Sequence, residues 1–495
     1  MIKKISMIVL ALFLLLPSWS QAGSWKEDPS GVPGQWYVGT TPSYVAPSKQ
    51  PILFVHGLNS SSNTWWDDNN MYDTAYQNGY ETAFIDLYPT KNMWDNGALL
   101  AQKIRDIYNY YGEKVVIVAH SKGGIDTQSA LVHYGAFPYV SRVITLSTPH
   151  HGSQLADLAY SSWAGWLAGI LGNKNDATYS LQTGYMSYFR DVTDQHANVS
   201  KIPIYTFGGT KWGSFGGSLY WGGLYLSGYG SNDGAVTVKS SRLPYATELK
   251  VGDWNHYSIK EGSSTFNLFK DYLNETAIQS SGTLNQTTER NSASYHDASS
   301  LIRGGEYQGK TQEKIQVEEG ATSITFDWMS SSPSSRVILK DPAQKVYSSF
   351  TVKKDESDYF KGAYHHTLTL QTPIAGEWTL ESTSSNQEEY LLNVSFESSL
   401  NDAVMVDVNQ DEISLKKKDS KVSLQQDMTI EFYKNGKLKE GKLKPKQNGT
   451  FKLPKLGEGV YNVTIDLNGS KGKNKFNRTL IKSVYVDANG KVYGE

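Results

Sequence analysis

The chain has 495 residues, too many for one ordinary hydrophobic core, so about two to four domains are expected. Its formal net charge of −2 gives no electrostatic footprint for nucleic acid. With no cysteine it can hold no disulfide, thiolate nucleophile or cysteine-based metal site.

The chain opens with Met1-Ile2-Lys3-Lys4, a short apolar run over 7–16, then Pro17 and Ser20-Gln21-Ala22. This pattern predicts a secretory signal peptide, residues 1–22, cut after Ala22. The apolar run is too short to span a bilayer, and no later stretch is long and apolar enough. The expectation is therefore an exported protein without a transmembrane segment. A cysteine-free exported chain fits a bacterium, and a Gram-positive one best.

Residues 23–48 are rich in Gly, Pro and Ser and read as a lead-in loop. Ile52-Leu53-Phe54-Val55 reads as a buried strand ending on His56-Gly57-Leu58-Asn59. A helix is expected over 64–78, a strand over 82–87, and an amphipathic helix over 96–110 with Leu99, Leu100, Ile104 and Ile107 inward. A strand at 115–119 runs into Ala119-His120-Ser121-Lys122-Gly123 and a helix from 123 to about 134. The next strand, 142–146, ends at Ser147-Thr148-Pro149-His150-His151-Gly152-Ser153. Strands alternating with helices on this spacing predict a doubly wound, mostly parallel sheet over 23–275, with ligands bound outside the carboxyl ends of its strands.

The segment 155–173 carries one charge after its start, Asp157, and reads either as a buried helix or as an apolar cap over the site. A strand at 202–207 precedes an aromatic, glycine-rich loop over 208–230, long enough to suggest function. Asn232-Asp233-Gly234 follows, then a last strand near 248–251, Asn255-His256, and a closing helix over 264–273. Residues 276–299 turn to Ser, Thr, Gln and Asn, as in a linker. Beyond it, short alternating segments such as Ser323-Ile324-Thr325-Phe326-Asp327-Trp328 predict one all-β sandwich over 300–398 and a second over 401–495. The second carries 18 Lys+Arg against 12 Asp+Glu, a net of +6. It could bind an anionic surface or polymer, although a solvated charged face explains the same count.

Strand, sharp turn, Ser, helix is the context of a nucleophile elbow, although a surface serine in a glycine-containing turn would look the same in isolation. A Ser hydroxyl needs a base to take its proton and a carboxylate to orient that base, and in doubly wound hydrolases the order is Ser, acid, His. Of His133, His150, His151, His196 and His256, only His256 directly follows the final strand. Asp233 is the preferred acid. Asp253 sits three residues before His256 and reads as a local cap, while Asp191 and Asp194 lie upstream in a polar stretch. The oxyanion is assigned to the backbone N–H groups of Leu58 and Lys122. His56, Gly57 and His120 are expected on the substrate side.

Together these segments resemble the secreted bacterial triacylglycerol lipases and related esterases of the α/β-hydrolase family, over roughly residues 45–275. The Ala before the nucleophile resembles the Bacillus branch; Thr148-Pro149-His150 and Asn232-Asp233-Gly234 resemble the Pseudomonas and Burkholderia branch. By that similarity Ser121 is the nucleophile, Asp233 the acid, His256 the base, and Leu58 and Lys122 the oxyanion donors. The Pseudomonas-type enzymes carry a calcium-binding Asp two residues after the catalytic His. Ser258 stands there, which argues against calcium at that site, and no cofactor is expected. The family also usually has an uncharged residue where Lys122 stands, so its charge is expected beside the pocket. Segment 300–398 resembles the pre-peptidase-like modules of secreted hydrolases. The expected activity is hydrolysis of a hydrophobic ester or lipid. A polyester depolymerase, an amidase or thioesterase, and a surface-binding protein on an inert scaffold are the other readings.

Overall fold

The structure is a computed structural model that describes residues 31–46, 48–274, 298–409, 411–434, 437–443 and 450–494. The expected signal peptide, and nearly all of the expected linker, lie outside the described residues.

The first sheet holds β1 (Trp36–Val38), β2 (Ile52–Val55), β3 (Thr82–Ile85), β4 (Val115–His120), β5 (Val140–Leu146), β6 (Ile204–Gly209) and β7 (Thr247–Gly252), in the order β1-β3-β2-β4-β5-β6-β7. β1 pairs antiparallel with β3; every other pair is parallel. Helices lie on both faces, so β2, β3 and β4 are buried along their whole length, which is why they read as unbroken apolar runs. The helices are α1 (Met71–Gln77), α2 (Met93–Tyr111), α3 (Lys122–Val132), α4 (Gln154–Ala159), α5 (Gly165–Ile170), α6 (Asp176–Ser180), α7 (Thr183–Asp194), α8 (Ser218–Leu226) and α9 (Gly262–Phe269).

Four expectations change, the first being the lead-in loop over 23–48, which carries β1. The helix over 64–78 is a 3-10 turn at Ser62–Trp65 followed by α1. Asp68 takes a left-handed φ of 49°, and Asn69 Oδ1 accepts the Met71 N–H at 2.8 Å, so a polar break separates the two. The loop over 208–230 contains α8, whose Gly222 and Gly223 let it press onto the Gly234 carbonyl and the Trp212 ring. The polar stretch holding Asp191 and Asp194 is mostly α7.

Residues 300–397 form one seven-stranded antiparallel sheet of β8 (Ser300–Val317), β9 (Ser323–Ser330), β10 (Arg336–Lys340), β11 (Val346–Tyr347), β12 (Thr351–Lys354), β13 (Tyr364–Gln371) and β14 (Gly376–Glu397). The expected strands around Trp378 and Tyr390 are one long β14, which pairs with β10 at one end and β9 at the other, and both ends share one apolar core that includes Leu301, Trp328, Leu339 and Trp378. From 404 onward, a three-stranded and a five-stranded sheet share one apolar core that includes Val404, Ile413, Met428, Val463 and Leu480.

Both β regions pack on the α/β domain. The apolar 155–173 segment is two short helices whose Ala164, Leu167 and Ala168 share a buried cluster with Ile302, Met329, Leu391 and Ile481. At the same seam Asp157 is buried and accepts hydrogen bonds from Ser483 Oγ and Thr183 Oγ1, each at 2.6 Å. Trp163 Nε1 and Arg303 both donate to Asp466. Among the described residues, several lysines of the last region pair with carboxylates, as in Lys416–Asp407, Lys452–Asp411 and Lys471–Asp419.

Candidate active site

β4 ends on His120, and the chain turns through Ser121 with φ 53° and ψ −135° into α3. That strained conformation places a hydroxyl at the carboxyl edge of the sheet, and it requires small neighbours. A Cβ on Gly123 would overlap the His56 carbonyl oxygen, and one on Gly57 would lie 2.8 Å from Ser121 Cβ. The loop after β2 is thus pressed against the nucleophile. Leu58, the expected first oxyanion donor, is the next residue of that loop, and Lys122 opens α3, where a first-turn amide has no carbonyl partner within its own helix.

Asp233 follows α8 and lies against the end of β6, where a Cβ on Gly209 would come within 2.8 Å of its own Cβ. Its Oδ1 accepts N–H groups from Ala235 at 2.9 Å and Val236 at 2.7 Å, leaving Oδ2 for the His256 Nδ1–H at 2.8 Å. His256 Nε2 stands 3.1 Å from Ser121 Oγ. All three side chains are buried. Burial disfavours the His256 imidazolium, but the charge and hydrogen bond of Asp233 outweigh it, with a further push from Asp358, and its pKa is raised. The structure therefore brings Ser121, His256 and Asp233 into one hydrogen-bonded relay.

The competing groups lie elsewhere. The Asp253 side chain is 82% exposed and faces Lys211. Asp191 pairs with Lys491, and Asp194 with Arg190. His133 stacks edge-on against Trp94 and meets Thr193 Oγ1, with His196 beside it. His150 is buried behind β5, and burial pushes it well below its ordinary pKa. His56 and His120, expected on the substrate side, are tied into the scaffold. His56 Nε2 accepts the Leu87 N–H at 2.9 Å, and its Nδ1 lies 2.8 Å from the Gly57 carbonyl. His120 Nε2 lies 2.8 Å from the His256 carbonyl and holds the loop of the base. The Lys122 ammonium, expected beside the pocket, instead turns back along α3 to the buried Asp126 carboxylate at 2.6 and 2.9 Å. Asn96 completes that pair and ties it to the backbone of Tyr88. Ser258 is engaged in a local turn with Asn255. Among the described residues no cluster of three or more His, Asp or Glu side chains is placed to hold a metal ion.

Sequence reasoning missed what covers the relay. The β12–β13 hairpin of the second region carries its tip, residues 355–363, over the carboxyl edge of the first sheet. Tyr257, next to the base, donates to the Glu356 carbonyl at 3.3 Å; Asn59, next to Leu58, donates to that of Asp358 at 3.2 Å; Asn173, just beyond α5, donates to that of Lys361 at 3.3 Å. Burial pushes the Asp358 carboxyl up to about 6, against the pull of His256 and Lys260. The available sequence signal was the Tyr359-Phe360 pair, two adjacent aromatic residues in an otherwise polar turn.

A family model described as a PGAP1-like alpha/beta domain matches residues 89–162. Triacylglycerol lipase 2 of Saccharomyces cerevisiae is 26% identical over 274 residues, which cover 44% of this chain and 82% of the yeast protein. The crystal structure of Bacillus licheniformis lipase BlEst2 in propeptide form is 45% identical, with a TM-score of 0.84, and the match covers 94% of this chain and 100% of that one.

Proposed function

The chain belongs to the lipases and esterases of the α/β-hydrolase family, and from that membership we propose that it is an exported carboxylic ester hydrolase working through an acyl-enzyme on Ser121. The observation that carries this reading is the buried relay in which His256 bridges Ser121 Oγ and Asp233 Oδ2. His256 Nε2 takes the hydroxyl proton as Ser121 Oγ attacks the ester carbonyl, and Asp233 stabilises the imidazolium and fixes its tautomer. The Leu58 and Lys122 amides receive the oxyanion, a contribution of about 3–4 kcal/mol for one such donor. His256 then protonates the leaving alkoxide, and a water deprotonated by the same nitrogen releases the acid.

The residues beside the relay favour a hydrophobic acyl group: Leu58, Leu155, Trp221, Tyr225 and Leu226 belong to one buried apolar cluster. The yeast relative is named a triacylglycerol lipase, and a glycerol ester of fatty acids is the substrate class proposed here. Residues 1–22 are read as the export signal. The matched Bacillus structure is a propeptide form, and here the β region lays a hairpin across the relay. Residues 300–495 are accordingly read as a propeptide that keeps the enzyme latent.

The test is hydrolysis of p-nitrophenyl octanoate by protein whose β region has been separated by limited proteolysis. Ser121→Ala should lower turnover by roughly 10⁴–10⁶-fold. Retained turnover would overturn the assignment.

A further inference from the structure

The tip of the β12–β13 hairpin is built to hold one shape. Asp355 N–H donates to the Ala363 carbonyl at 2.7 Å, Gly362 N–H to the Asp355 carbonyl at 3.0 Å, and Ala363 N–H to the Phe360 carbonyl at 3.0 Å. At its base, buried His365 lies between Asp327 and Asp355, 2.8 Å from each. This frame presents Tyr359 and Phe360 to the catalytic domain, where they are 5% and 0% exposed. Phe360 meets the Trp221 ring edge-on, with centroids 5.4 Å apart, and the Tyr359 hydroxyl bonds to Ser153.

The surface receiving Phe360 adjoins the relay. Trp221 lies on α8, where the next residue, Gly222, touches the Gly234 carbonyl beside Asp233 and the Leu155 side chain. Phe360 also shares its apolar cluster with Leu58, whose amide is assigned to the oxyanion. An aromatic side chain of the hairpin is thus buried in the cluster that holds Leu58, against the helix that packs on the loop of Asp233. Tip residues flanking it bond to the neighbours of both the base and the oxyanion donor, Tyr257 and Asn59.

We infer that Phe360 occupies the acyl subsite as a built-in substrate mimic, and that Trp221 is the wall of that subsite which sets the acyl length accepted. This rests on the ester-hydrolase reading above. A benzyl side chain fills the space of a medium-length acyl group, so the ligand class is a medium-chain fatty acyl ester, and Trp221 blocks longer chains.

The experiment uses the full chain and p-nitrophenyl butyrate, octanoate and palmitate. Phe360→Ala should raise octanoate turnover at least about tenfold over the wild type, a gain that Ser121→Ala in the same chain abolishes. Adding Trp221→Ala should move the octanoate-to-palmitate ratio about tenfold toward palmitate, the discrimination expected when a pocket changes by a few methylenes. Circular dichroism checks that each variant is folded; should Trp221→Ala fail to fold, Leu155→Phe narrows the same space and should move preference toward butyrate. A Phe360→Ala chain as latent as the wild type, or acyl profiles unmoved by both wall substitutions, would overturn the inference. A full chain in which residues 356–362 are replaced by Gly-Gly separates the two failures. Turnover there with none in Phe360→Ala defeats only the mimic. No turnover in either, with no fluorophosphonate label on Ser121, defeats the ester-hydrolase reading itself.

Discussion

At the scale of single residues, the relay was legible because its chemistry demands a fixed order of side chains at strand ends, and Ser121, Asp233 and His256 meet that order with few competitors. The Lys122 side chain was not anticipated, although its partner lies four residues on in α3, the spacing that places two side chains on one helix face. Both members of that pair are buried, at 1% and 3% side-chain exposure. Lys122→Ala should therefore strand the Asp126 carboxylate and cost about 3–5 kcal/mol, read as a lowered denaturant midpoint. The double substitution Lys122→Met with Asp126→Leu should recover most of the loss. If the single variant were as stable as the wild type, the ion pair would have no structural role. His120 shows the converse: a histidine next to the nucleophile in sequence can serve the scaffold, here by bonding to the His256 carbonyl.

Among elements, periodicity located those with one buried face. It failed for α8, which is apolar around its circumference and carries two adjacent glycines, so neither a 3.6-residue stripe nor helix propensity marked it. Its contacts with Gly234 and Trp212 are tertiary, and only the fold supplies them. The β12–β13 hairpin makes a prediction of its own. Burial disfavours the His365 imidazolium, but Asp327 and Asp355 outweigh it and raise its pKa from 6.5 to about 10. A histidine whose pKa is raised on folding adds stability that is fully present below its unfolded value and is lost as pH rises through the folded one. The thermal midpoint of the full chain should therefore fall between pH 6.5 and about 10. That slope should flatten in His365→Gln, and an equal slope in both proteins would show that the imidazolium does not brace the hairpin.

Over the whole molecule, the sequence pointed to an α/β catalytic unit followed by appended all-β regions. In the structure those regions pack on the catalytic unit. Ser483 and Asp466 of the last region hold Asp157 and Trp163, and the second region lends Phe360 to the catalytic cluster. Such contacts join residues far apart in the chain and leave no local pattern in composition or spacing. Burying the apolar 155–173 segment under the β regions also accounts for its missing charge without a free lid. We propose a Ser121 hydrolase held latent by its own C-terminal region. Its most direct test is fluorophosphonate labelling followed by peptide mass spectrometry, on the intact chain and on the chain freed of its β region. An adduct on Ser121 should form rapidly only in the freed protein. Equal labelling of both forms would contradict latency, and an adduct on another serine, or none, would contradict the nucleophile.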